Sequence, residues 1–297
     1  SVLFNTAGMK IQGNYIGTNG AGQVQGGIGN TSIGVVLVGE TQNTLVGGID
    51  SGEGNVIAGN GSGVSVGDFL GSLLALNNSI LGNSIHDNTG GVLTTLGIDL
   101  LGNSDNYGAS WTAAGVTAND AGDTDVTSNV LMNFPVIQSV TSTNGQATIT
   151  YSLDINDAEP GATGYRVEFF ANDSADPSGH GQGQTFIGSD TLAGDVTGQQ
   201  VTLTLPDGVD GSKYITATTT MTDASDDGFG HTSEFAENVQ ATLIAATEES
   251  NDGGPDSGGS SGSSSSSSSS TTSSDPLADT GQNTHPLILL STILLTS

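Results

Sequence analysis

Short apolar stubs closed by Gly or Asn fill the first 115 residues. The tetrad Ile-x-Gly-Asn occurs at Ile11–Asn14, Ile57–Asn60 and Ile80–Asn83, at intervals of 46 and 23 residues. One interval is twice the other, so a repeat of about 23 residues is expected. Echoes fill the gaps: Asn43-Thr-Leu-Val-Gly-Gly48, Gly34-Val35, Gly63-Val64, and Ile16 and Ile85 five residues past a tetrad Ile. Gly and Asn adopt positive φ at low cost, which lets the chain turn sharply between stubs. A parallel β-solenoid of about five turns follows, with Ile11, Ile57 and Ile80 stacked inward. Asn14, Asn60 and Asn83 at its corners are expected to form a hydrogen-bonded ladder.

From Phe134 to Leu243 the pattern becomes alternation. Tyr165, Val167 and Phe169 face one way and Arg166 and Glu168 the other, while Val201, Leu203 and Leu205 alternate with Gln200, Thr202 and Thr204. Further strands are expected at Val136–Val140, Ala147–Leu153, Thr185–Ser189, Tyr214–Met221 and Phe235–Leu243. Seven strands in roughly 110 residues suit an immunoglobulin-like sandwich. Its core is expected to rest on Phe169, Phe186, Tyr214 and Ile215. Residues 245–276 form a linker with unbroken Ser from 263 to 270, a composition that buries no apolar area and is expected to be disordered. Residues 277–297 end in a mostly apolar run from Pro286, shorter than the roughly 20 residues needed to span a bilayer.

Composition narrows the function classes. The chain has 297 residues, 31 acids, three bases (Lys10, Arg166, Lys213) and a formal charge of -28, so no cationic surface exists to neutralise phosphates and nucleic-acid binding is excluded. Seven acids precede residue 116, and 18 fall in residues 116–244. Two explanations stand for that density: cations held in Asp-rich loops, or an acidic surface adapted to high salt. The absence of Cys removes disulfides, thiol catalysis and zinc-thiolate sites but leaves the compartment open. A start at Ser1 with no leader is expected of a mature or truncated piece.

The segments Ile11-Gln-Gly-Asn-Tyr-Ile-Gly-Thr18, Asn43–Gly48 and Gly54-Asn-Val-Ile-Ala-Gly-Asn60 resemble right-handed parallel β-helix repeats, of the pectin-lyase-like kind, in bacterial surface proteins. Gly97-Ile-Asp-Leu100, Thr117–Asp125 and Asn133-Phe-Pro-Val136 resemble the stretch joining such helices to a downstream sandwich. Leu277-Ala-Asp-Thr-Gly281, followed by the apolar run, resembles a sortase sorting signal with Ala278 in place of the usual Pro and no basic tail. That resemblance implies cleavage between Thr280 and Gly281, with Thr280 as the acyl carbon and Gly281 as the leaving amine, and covalent attachment to the cell envelope by a sortase-like transpeptidase.

Several residues could carry chemistry. Asp120, Asp123 and Asp125 lie within six residues around Gly122, a spacing that can offer oxygen ligands to Ca2+ but lacks the full EF-hand loop. Asp223, Asp226 and Asp227 form a second such group, and Asp173 with Asp176 a third; solvated Asp turns are the alternative for each. A lyase needs a base beside bound uronate, and Lys10 is the only base in the first part. An inverting glycosidase needs two carboxylates roughly 6.5 to 9.5 Å apart, and only Asp87, Asp99 and Asp105 are close in sequence there. His86 and Asp87 are expected on opposite faces of a strand, and His180 and His231 in loops. Tyr15, Tyr107 and Trp111 could stack on sugars, with a capping role between the two folds as the alternative for Trp111.

The domain order expected is therefore a solenoid (1–115), an Asp-rich junction (116–133), a sandwich (134–244), a linker (245–276) and a sorting-signal-like segment (277–297). The function expected is adhesion, glycan binding or surface structure in an extracellular, envelope-anchored protein that meets a glycan or a neighbouring surface. A polysaccharide lyase or hydrolase on the solenoid face, and a passive spacer, are the two alternatives.

Overall fold

The computed structural model describes residues 2–67, 74–90, 96–101, 115–156 and 158–245, with side chains from residue 5 onward. These residues belong to one compact unit, Ser1–Glu248. The Ser-rich linker, Thr280 and Gly281, and Tyr107, Trp111 and Asp105 lie outside the described residues.

Among the described residues, the first part is built of ten strands: β1 (Val2–Phe4), β2 (Lys10–Ile11), β3 (Tyr15–Ile16), β4 (Ile33–Val38), β5 (Leu45–Gly47), β6 (Val56–Ala58), β7 (Ser62–Gly67), β8 (Ser79–Leu81), β9 (Ser84–His86) and β10 (Ile98–Leu101). They form three parallel sheets, ordered β1-β4-β7-β10, β2-β5-β8 and β3-β6-β9. The chain visits the sheets in rotation three times and begins a fourth circuit with β10, an arrangement compatible with a β-helix. Inward residues stack rung on rung: Val35, Val64 and Ile98 in one sheet, Val46 and Ile80 in the second, Ile57 and Ile85 in the third, all at most 3% exposed.

The 23-residue period does not survive. Ile11 stacks on Val46 and Val46 on Ile80, intervals of 35 and 34 residues, whereas Ile16, Ile57 and Ile85 stack at 41 and 28. Ile57 sits on a different sheet from Ile11 and Ile80, so the tetrad marks a corner type rather than a turn. Three full circuits among the described residues, with loops of unequal length, replace the five expected.

The Asn corners do form ladders, and Asn14, Asn60 and Asn83 are divided between two of them. Asn14 donates through its backbone N–H and Nδ2 to Asn55 Oδ1 (2.9 and 3.0 Å), and Asn55 does the same to Asn83. Asn30, Asn60 and Asn88 repeat the pattern at the other corner. Asn55, Asn83, Asn60 and Asn88 each thereby accept the backbone N–H of the Asn one rung before, and the N–H groups of buried Asn55 and Asn60 would otherwise lack partners. Gly17 and Gly47 sit at the two equivalent corners with φ of +88° and +85°, and a Cβ on either would collide with the Asn side chain of the next rung.

The second part comprises β11 (Val136–Thr143), β12 (Gln146–Leu153), β13 (Gly164–Asn172), β14 (Thr185–Leu192), β15 (Val196–Thr204), β16 (Tyr214–Thr222), β17 (Phe229–Thr232), β18 (Val239–Gln240) and β19 (Thr242–Leu243). One sheet runs β15-β12-β11-β19 and the other β14-β13-β16-β17, with β18 also on β16. All pairs are antiparallel except β11 with β19. Val140, Ile149, Tyr151, Tyr165, Val167, Phe169, Ile187 and Ile215 close the core between the sheets. Phe186 is not among them. It faces outward and is 38% exposed, because Ile187 takes the inward position on β14. Tyr214 is half-buried at a strand end, and the single strand expected over Phe235–Leu243 is two short ones, with β17 added before them.

Most of the outer face of β13 and β16 is buried as well. Phe170 and Phe235, 5.5 Å apart edge to face, leave the sandwich and enter the core of the first part. Each stabilises that contact by about 1.5 to 3 kcal/mol through apolar burial.

Candidate functional site

The last circuit of a parallel winding leaves a row of unpaired backbone groups on every sheet, and each must find a partner. Here the partners come from the sandwich and its loops. On β8, the Ile80 N–H donates to Thr232 Oγ1 (2.9 Å) and the Ser79 hydroxyl to the Gly230 carbonyl (2.8 Å). Beside β8, the Gly82 N–H donates to Glu168 Oε2 (2.8 Å). On β9, the Ile85 N–H donates to the Gly183 carbonyl (2.7 Å). On β10, the Leu100 N–H donates to Glu234 Oε1, while the Thr117 N–H donates to Glu234 Oε2, both at 2.9 Å.

One ladder is finished the same way. Gln182 Oε1 accepts from the Asn88 N–H and Nδ2 at 3.2 and 2.9 Å, standing where the next Asn would stand. At a third corner the Thr44 N–H donates to Asn78 Oδ1 and the Asn78 N–H to Asn129 Oδ1. Asn129 is delivered by a left-handed turn in which Asn129, Val130 and Leu131 all have φ near +50°. A β-branched Val there costs on the order of 1 to 3 kcal/mol, which the surrounding contacts must hold in place.

Glu168 is the centre of this seam. It is fully buried, and its second oxygen, Oε1, accepts from Arg166 Nε at 2.9 Å. Burial pushes its carboxyl above the ordinary carboxylate range, opposed by the Gly82 N–H and the Arg166 guanidinium. Arg166 opens onto a groove of about 310 Å3 lined by Ile49, Asp50, Ser51, Ser84 and Phe186. Sequence alternation places Arg166 and Glu168 off the sandwich core correctly; what it cannot show is that the face they occupy is covered.

A second groove, of about 150 Å3, holds His86, Asp87, Asp173 and Asp176. His86 and Asp87 are not on opposite faces. Asp87 lies past the end of β9 with φ +54°, which swings its carboxylate back to His86 Nδ1 at 2.8 Å. Asp173 pairs with Lys213 Nζ at 2.8 Å, and that contact holds its carboxyl below the usual range; Asp176 accepts from the Ser178 N–H and from Gln182 Nε2.

The Asp-rich junction is knotted around Asn133. Asn133 Nδ2 donates to the carbonyls of Asp120 and Asp154 (2.8 Å each), the Asn133 N–H donates to Asp123 Oδ1 (3.1 Å), and Asp120 Oδ2 accepts from Thr124. Burial pushes the Asp123 carboxyl up to about 7 against the pull of the Asn133 N–H, and Asp120, Asp125 and Glu159 add repulsion. Asp125 is raised as well, by burial first and by Asp120 second. Asp223 Oδ1 and Asp227 Oδ1 both accept from Ser225, closing a turn on themselves, and Asp226 lies exposed in that turn. Among the described residues no group of three or more His, Cys, Asp or Glu is placed to hold a metal ion.

His180 and His231 are joint residues. His180 Nδ1 lies 3.1 Å from the Phe235 carbonyl and its ring meets Phe134 edge to face at 5.1 Å. His231 is on β17 rather than in a loop, and its Nδ1 accepts from the Asn77 N–H at 3.1 Å. Burial pulls its imidazole down to about 4, so it stays neutral near pH 7. Asp99 is fully buried on β10, and Tyr15 is exposed on the first circuit. No known family model matches the chain, and no curated protein matches it.

Proposed function

We propose that this chain is an exported surface protein in which a right-handed parallel β-helix and an immunoglobulin-like sandwich form one rigid binding body. The observation that carries the reading is the seam: the sandwich supplies partners to all three edges of the last circuit, which makes the two folds one platform. Support for the sandwich assignment comes from strand order, in which the second strand pairs with the fifth and the third with the sixth, as in immunoglobulin-like domains. The Leu277–Gly281 motif supports envelope attachment through Thr280, and a winding of stacked strands is an extended scaffold of the kind that can display a surface to a repeating ligand such as a glycan.

The test is binding of the full chain to purified envelope polysaccharides and to intact cells, with protease shaving to locate it. Saturable binding and surface release by protease are expected; absence of both sinks the reading. The His86–Asp87 contact in an acid-lined groove favours a polysaccharide hydrolase as second reading, on which reducing ends would appear from a polysaccharide and vanish in Asp87→Asn.

A further inference from the structure

Arg166 carries the only guanidinium of the chain. It is fixed from behind in two steps: the Gly82 N–H holds Glu168 Oε2, and Glu168 Oε1 holds Arg166 Nε. That leaves four of the five guanidinium N–H donors without a protein partner among the described residues, on a side chain 18% exposed at the wall of the 310 Å3 groove. The groove is also lined by Phe186, 38% exposed and held edge-on by Phe170 at 5.8 Å, and by Ile49, 55% exposed. Asp50 and Ser51 supply acceptors and a hydroxyl on the coil side.

The charges decide the ligand class. The Arg166 charge is already matched by Glu168, and Asp50 adds another negative group, so a second anion enters against a net negative surround. A neutral polyol ring does not. Its hydroxyls accept from a guanidinium and donate to a carboxylate, and its C–H face packs on an aromatic ring and a branched aliphatic chain. We propose that this groove is a binding site for one neutral hexopyranose unit, with Arg166 and Asp50 reading the hydroxyls and Phe186 and Ile49 the apolar face. The site rests on the surface-glycan reading and gives it a place.

The test is an NMR titration of the full chain, followed at the Arg166 Nε–H, with methyl β-glucopyranoside, methyl β-galactopyranoside, methyl α-mannopyranoside and glucuronate. Saturable shifts with at least one neutral glycoside are expected, weakened roughly five- to tenfold in Ile49→Ser and lost in Arg166→Gln. Because Arg166→Gln strips a buried carboxylate of its cation and can unfold the seam, Ile49→Ser, on an exposed coil loop, keeps the test independent of folding. Shifts with glucuronate alone, no shift with any probe, or neutral-sugar binding unchanged in Ile49→Ser each overturn the site. Envelope-polysaccharide binding that persists unchanged in Ile49→Ser overturns the groove while sparing the surface reading. Glycoside shifts without any envelope binding do the reverse.

Discussion

Asn60 shows how much one side chain carries. Its Nδ2 donates to the carbonyl of Ile16 and to Asn88 Oδ1, and its Oδ1 accepts twice from Asn30. Asn60→Ala removes these at a buried position and is expected to cost about 3 kcal/mol in urea unfolding, while Asn14→Ala on the exposed first rung costs under about 1. Asp123 gives the opposite sign. Its folded pKa of about 7 stands above an unfolded value near 3.8, so between those limits the folded state holds a proton that the unfolded state has lost. Stability from this group is therefore full below about pH 4 and falls as pH rises toward 7. Asp123→Asn keeps the acceptor for the Asn133 N–H and tolerates the residue's φ of +46°. The variant is expected to melt higher than the parent at pH 7.5, by no more than about 4 kcal/mol, and to match it near pH 4. Corner Asn residues were legible in the sequence because turn chemistry is local. Gln182 and Asn129 were not, since each completes a ladder from residues 94 and 51 positions away.

Strands were easier to find than their stacking. Alternation located β11 to β16 within a few residues, and the two-sided burial of β13 was hidden only because its outer face is covered by another element. The coil's period was misread for a geometric reason: corners of similar sequence serve two different sheets, and the loops between them vary in length. The edges make a testable unit. Thr232→Val keeps shape but leaves the Ile80 N–H without its acceptor, with a cost of about 1 to 2 kcal/mol. Native-state hydrogen exchange is expected to quicken at Ile80 and its β8 neighbours and to stay unchanged in β12. Exchange that rises equally in both would mean that Thr232 acts on global stability and not on the edge.

At the scale of the whole molecule, the seam predicts one cooperative unit. Calorimetry of residues 1–245 should give a single transition, whereas residues 1–115 alone, with three edges bared and Phe170 and Phe235 missing, should melt without cooperativity. Two separate transitions in the longer chain would dissolve the joint. The charge of -28 adds self-repulsion that salt screens, so the midpoint should climb with monovalent salt; a climb specific to Ca2+ would mean that the Asp120–Asp125 loop rearranges around the cation. The pairing of β11 with β19 carries a different consequence. Thr141 lies beside Thr242 and Ser142 beside Leu243 in parallel, with the Ile244 N–H donating to the Ser142 carbonyl. Because the first and last strands run the same way, tension between the coil and the chain beyond residue 245 drags them along each other, so their bonds must break together rather than one by one. A body fastened at that end would resist flow as a latch does, giving way abruptly at a threshold force instead of creeping open.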